Sequence, residues 1–162
     1  MIFQGQELLE TRAFGFKVPT QVDFSRAEDA NIKGIVQMYR DLIALRRNLR
    51  QKTRGLTGQN LNVFHLDNGN KTLAYHRWEN GGAGDDVVVV ANFSNVPLPN
   101  LNIGFPRGGV WHVLFNSGAN IYDPSFINGE SFDTTANPGG KDGLNFNANV
   151  GVGAYSVVIL AQ

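Results

Sequence analysis

A chain of 162 residues, 42% of them hydrophobic, holds one ordinary domain, or a small domain with a piece of another, and can bury a sizeable core. Lysine plus arginine and aspartate plus glutamate number 14 each, so no excess of cations exists to displace counterions; nucleic acid is excluded as a partner. Zero cysteines exclude disulfides, thiolate metal sites and a cysteine nucleophile. A low charged fraction and long apolar runs argue against disorder, while 19 glycines and 6 prolines predict many turns. No apolar run approaches the roughly 18 residues of a bilayer span, and Met1–Glu7 lacks the basic start and apolar stretch of a signal peptide. The expectation is a soluble protein with no membrane partner.

Taken in order, Ile2-Phe3 reads as the tail of a buried strand ending at Gly5, and Leu8 to Phe24, with Pro19, as a loop. Ser25 stands three residues before Glu28, the spacing of a capping box, and predicts a helix running to about Asn48. Ile32, Ile35, Val36, Tyr39, Leu42, Ile43 and Arg46 form one stripe at helical spacing. Gln51 to Gln59 is a polar connector and sets a boundary between residues 1–50 and 51–162. Strands are predicted at Leu61–Leu66 and Thr72–Glu79 around the hairpin signal Asn68-Gly69-Asn70, then at Asp86–Phe93, Leu101–Phe105, Val110–Asn116, near Ile121 and Leu144, and at Tyr155–Leu160. A Pro97/Pro99 break precedes the fourth. So many short strands without intervening helix predict a mainly β fold, an antiparallel Greek-key β-sandwich, with one long helix ahead of it.

Val87-Val88-Val89-Val90-Ala91 does not alternate, so both faces of that strand should be dry. One face packs on the opposite sheet. The other needs a cover: the helix, or something larger on which the sandwich docks. In an isolated chain the helix stripe and this face should pack on each other or on a second copy, giving a homodimer.

The sequence holds little that carries chemistry. His65, His76 and His112 each fall on a predicted strand without the spacing of a metal site, and read as partly exposed strand histidines. There is no G-x-S-x-G, and Gly81-Gly82-Ala83-Gly84 lacks a following helix and lysine, which leaves a turn. Asp41 is expected to meet an arginine on the helix surface, and Asp85-Asp86 to sit in a turn. No carboxylate pair in an evident cleft is found, so no catalytic, cofactor-binding or metal-binding residue is assigned. Trp78, Trp111, Tyr75, Tyr122 and Phe126 could stack on sugar rings; Trp111, Val113 and Phe115 alternate as a core face, which leaves Trp78 and Tyr122 as the candidate sugar-binding residues.

The order of segments resembles the α-amylase superfamily, glycoside hydrolase family 13. Met1–Glu7 is similar to the end of that family's eighth barrel strand, where G-x-E follows an apolar strand. Val22-Asp23-Phe24-Ser25 followed by Met38–Arg47 resembles its last barrel helix, including the R-x-L-I-x-L-R core of Arg40 to Arg46. Leu73–Arg77, Asp86–Ser94 and Gly109–Ser117 resemble its C-terminal all-β domain, in the version carried by glucan branching enzymes; Phe126 to Asn149 departs from the pattern. The resemblance implies that residues 1–50 are a barrel remnant and 51–162 a C-terminal domain that stabilises an enzyme acting on α-glucans, hydrolase or branching transferase. It implies that the partner is the missing catalytic barrel, that the catalytic carboxylates precede Met1, and that α-glucan is a further partner if the domain acts as an accessory binding module. Gln4 and Glu7 match positions near the active-site end of the barrel. An intracellular-type relative points to the cytoplasm.

Overall fold

The computed structural model describes residues 3–15 and 21–162; the expectations for Ile2 and Pro19 lie outside them. After 3₁₀ turns at Gln6–Leu8 and Phe24–Glu28 comes one helix, α1 (Lys33–Arg46), then a 3₁₀ turn at Arg54–Leu56 and eight strands: β1 (Asn60–Asp67), β2 (Thr72–Trp78), β3 (Val87–Asn92), β4 (Leu98–Phe105), β5 (Gly109–Asn116), β6 (Thr134–Lys141), β7 (Leu144–Val152) and β8 (Val157–Ala161). The helix starts later than Ser25 and Glu28 predict. Asp23 rather than Ser25 caps the first turn, accepting both the backbone N–H of Ser25, at 3.0 Å, and its hydroxyl, at 2.6 Å, and Ser25 lies inside that turn. Asp29 ends this first turn: its carbonyl accepts from Ile32 and Lys33, and its side chain from Asn31.

The strands form one antiparallel sheet in the order β1-β2-β3-β8-β5-β6-β7-β4. Strands β4 to β7, and again β5 to β8, each make a Greek key, three hairpin-connected strands with the fourth beside the first. The single ladder bends back on itself so that β2, β3 and β8 oppose β4 and β7 in two layers. Between them lie Ala74, Val88, Val90, Ile103, Phe105, Trp111, Val150, Val152, Val158 and Leu160. The two ends of the order, β1 and β4, touch, and the seam is tied by Asp142, which accepts from the Gly104 N–H at 3.0 Å and pairs with His65 at 3.2 Å.

The valine run behaves as its lack of alternation requires. Val88 and Val90 face the inner core, while Val87 and Val89 lie on the outer face with Phe115, Tyr122, Ile159 and Leu45 of α1, and Met38 packs against them. The helix therefore covers the strand within one chain. Ile32 and Val36, farther up the stripe, pack on Leu8 instead, and Leu42 and Ile43 stay exposed. Gly34 is needed where α1 crosses the loop after β5, because a Cβ there would overlap the Tyr122 carbonyl.

Three expectations are corrected. Ile121 lies in a turn, 65% exposed, and the sixth strand is β6, which runs through Pro138, Gly139 and Gly140. β4 begins at Leu98 and absorbs Pro99 in a register shift between Leu98 and Leu101; as an end strand it can spare an N–H. Phe115 does not share a face with Trp111 and Val113, because a bulge between Val113 and Phe115 turns it outward, under α1.

Candidate functional site

Each histidine finds a carboxylate that sequence spacing did not reveal. His112, exposed on β5, pairs with Asp133 at 2.7 Å, and half-buried His65 with Asp142. His76 is buried rather than partly exposed, and its Nε2–H donates to Asp86 Oδ1 at 2.9 Å. The other oxygen of Asp86 accepts from Arg107 Nε at 2.7 Å and from the Gly82 N–H at 2.8 Å. Asp85, also buried, accepts backbone N–H groups of Glu79, Asn80 and Gly81. Burial opposes its ionisation, but these three donors outweigh burial and hold its carboxyl below the usual range. The Asp85-Asp86 pair thus closes the Gly81–Gly84 turn and anchors the start of β3.

Trp78 stands at the end of β2, half-buried, its ring stacked on His76 with centroids 4.3 Å apart. Tyr122 is buried beneath α1, its ring 5.7 Å from Phe115, and its hydroxyl donates to Asp41 Oδ2 at 2.9 Å. Burial first, and then the Asp41 carboxylate, push its phenol up. Asp41, expected to meet an arginine, is instead the acceptor for Tyr122 and for Gln37 Nε2 at 3.2 Å, because α1 turns it toward the loop after β5. The two candidate sugar-binding residues belong to different clusters, Trp78 to the His76–Asp86 network and Tyr122 to the layer under the helix. Gln4 is exposed, and Glu7 half-buried in the turn that seats Leu8.

His76 sets an expected pH dependence. Burial lowers its affinity for a proton more than the hydrogen bond and charge of Asp86 raise it, so its pKa in the fold lies below the ordinary 6.5. As pH falls below about 6.5 the unfolded chain takes up a proton that folded His76 resists, so stability declines and then levels off below the folded pKa. Urea midpoints at pH 7.5 and 5.5 should fall in the native chain, and the drop should shrink in His76→Gln.

Three surface cavities each hold a single carboxylate: Glu130 in a groove of about 440 Å³, Asp41 in one of about 320 Å³ beside α1, and Asp85 in one of about 480 Å³. Sequence reasoning missed most of the first, which is walled by Phe126, Ile127 and Tyr155. Phe126 is an aromatic able to stack on a sugar, but Tyr155 falls at the start of the last predicted strand, and nothing in its neighbours signals otherwise. Among the described residues no group of His, Asp and Glu is placed to hold a metal ion, and no helix is long and apolar enough to cross a membrane.

Residues 64–162, which run from β1 to the end of β8 and include this groove, match the family model of the alpha amylase C-terminal all-beta domain. The chain belongs to this family. The chain is 31% identical over 130 residues to the 1,4-alpha-glucan branching enzyme GlgB of Pseudomonas syringae pv. tomato, covering 78% of this chain and 17% of that one. The GlgB enzyme of Mesorhizobium japonicum is 27% identical over 164 residues, 99% of this chain and 21% of its own length. An alpha-amylase structure from H. orenii aligns over 83% of this chain and 22% of that chain, with 21% identity and a TM-score of 0.46. The chain thus spans about a fifth of the length of these relatives.

Proposed function

We propose that this chain is the C-terminal stabilising domain of an α-amylase-family enzyme acting on α-glucans, with residues 1–50 the end of its catalytic barrel and 51–162 the domain proper. The observation that carries the reading is the family match over β1–β8 together with the outer face of β3, which α1 covers with Leu45 and Met38. A helix with R-x-L-I-x-L-R that packs on the sheet with one side and leaves Leu42 and Ile43 exposed on another is suited to join a barrel to the sandwich. The exposed side would seat the rest of the barrel, or a second copy in its absence. Retaining transfer at a glycosidic bond uses two carboxyl groups about 5–5.5 Å apart on one site. The choice between hydrolase and branching transferase would therefore lie with the barrel. We assign the parent enzyme to the cytoplasm, as its resemblance to an intracellular-type relative implies.

The test is a chimera in which residues 1–162 replace the matching region of the Mesorhizobium japonicum enzyme. The chimera should keep branching activity on amylose and a melting temperature near the parent's, whereas deletion of the region should lower both. A soluble chimera without activity, or a deletion that costs nothing, overturns the proposal.

A further inference from the structure

Asparagine is followed by glycine at three places in the chain, Asn68-Gly69, Asn80-Gly81 and Asn128-Gly129. Such a pair carries its own reaction. The glycine nitrogen, with no side chain beside it to crowd the approach, can attack the asparagine Cγ once it gives up its proton. The first two pairs are guarded in the same way. The Gly69 N–H donates to Asp67 Oδ1 at 2.8 Å, and the Gly81 N–H to Asp85 Oδ2 at 2.5 Å. A carboxylate so placed holds the proton on the nitrogen, and its negative charge opposes deprotonation. Gly129 differs. No described residue accepts from its N–H, although the residue is buried and buried backbone donors are ordinarily paired.

The surroundings of Asn128 favour the same attack. Asn128 is exposed, so water reaches it, and its Oδ1 accepts from the Asn120 N–H at 2.9 Å. That donor polarises Cγ and meets the oxygen as it takes on negative charge. Asn128, Gly129 and Glu130 are left-handed in succession, at φ 63°, 47° and 61°, a costly run for the two residues with side chains. It is held by Asn116, which donates to the Asn128 carbonyl, and by the Glu130 backbone, which lies so close to Gly151 that a Cβ there would overlap it. We propose that Asn128 is a site of spontaneous deamidation. The Gly129 nitrogen loses its proton to hydroxide and bonds to Asn128 Cγ; the bond from Cγ to Nδ2 breaks, and Nδ2 takes a proton and leaves as ammonia. The five-membered succinimide that results takes up one water and opens on either side, to aspartate or to isoaspartate. Nothing is oxidised or reduced. In isoaspartate the main chain runs through Cγ and is one carbon longer, and the carbonyl that Asn116 holds becomes a free carboxylate. The loop between β5 and β6 then gains a charge beside Glu130 and loses the length that fits it against Gly151.

Incubation of the full chain at mildly alkaline pH, followed by isoelectric focusing and by peptide mapping that separates aspartate from isoaspartate, tests the site. The folded chain should turn more acidic as Asn128 converts to both products, faster as pH rises, while Asn68 and Asn80 remain amides. In urea, where the carboxylate guards are lost, the three pairs should convert at similar rates. Asp67→Ala frees the Gly69 N–H, and should speed conversion of Asn68 about tenfold or more, the rate equivalent of one hydrogen bond to a charged acceptor. An unaltered melting temperature identifies that variant as folded. Asn128→Gln, which would have to close a larger ring, should abolish the early acidic shift. Persistence of Asn128 in the folded chain over the time in which the unfolded chain converts overturns the proposal. So does conversion of folded Asn68 or Asn80 as fast as Asn128, and an Asp67→Ala variant that folds and shows no gain removes the reason for singling Asn128 out.

Discussion

Replacing Trp111 by alanine is expected to cost about 3–5 kcal/mol of stability, the usual range for truncating a buried tryptophan. The ring is fully buried at the centre of the inner core, 5.0 Å from Phe105 and inclined to it by 59°, and its Nε1–H donates to the Arg107 carbonyl at 3.1 Å. Its loss removes contacts to both layers and leaves a void that the paired strands β5 and β8 resist closing. It also leaves the Arg107 carbonyl without this donor. Since a single domain has roughly 5–15 kcal/mol in total, the variant should lose about a fifth or more of its stability. Urea unfolding should show a lower midpoint with an unchanged slope, which separates a weaker fold from a changed one. Trp111→Phe, which fills most of the space but cannot donate, should lose less. A loss below about 1 kcal/mol in Trp111→Ala would show that the two layers do not depend on this ring.

The parts of the fold that sequence revealed are those decided within a few residues. The β1–β2 hairpin follows from Asp67, whose carboxylate accepts from the Gly69 and Asn70 N–H groups and shapes the turn locally. The dry valines of β3 and the helical stripe of α1 are likewise local patterns, although only the structure shows that one covers the other. What stayed hidden depends on pairing between distant segments. β6 is a strand in spite of Pro138, Gly139 and Gly140 because Thr134 to Ala136 pair with β5 and the rest with β7, so neither half requires a full ladder on both sides. Phe115 changes face through a bulge that alternation cannot foretell. The candidate groove was half legible: Phe126 stood out as an aromatic in a polar stretch, but the left-handed Tyr155 has no signature, since its conformation is imposed by Ser94 and the packing of the following strand. Histidine–carboxylate pairs were invisible for the same reason, their partners lying 10, 21 and 77 residues away.

Asp86→Ala should be the second most damaging substitution, at about 3 kcal/mol, and its cost should be unevenly divided among the partners of the carboxylate. Arg107 is 54% exposed in its side chain, so its attraction to Asp86 is screened by water and worth about 1 kcal/mol or less. His76 and the Gly82 N–H are a different matter. His76 is 6% exposed under the Trp78 ring, and without Asp86 its Nε2–H loses its acceptor where water has little access. The Gly82 N–H loses its carboxylate at the turn that leads into β3. Each donor stranded in this way costs about 1–3 kcal/mol. Asp86→Asn, which keeps an oxygen acceptor and the side-chain volume, should recover part of the loss, and Arg107→Ala should cost little. A double-mutant cycle between His76 and Asp86 should therefore return a coupling larger than one between Arg107 and Asp86. Equal couplings would place the value of this carboxylate in the surface ion pair, and the start of β3 would then be held by the three backbone donors on Asp85 rather than by the buried pair beside it.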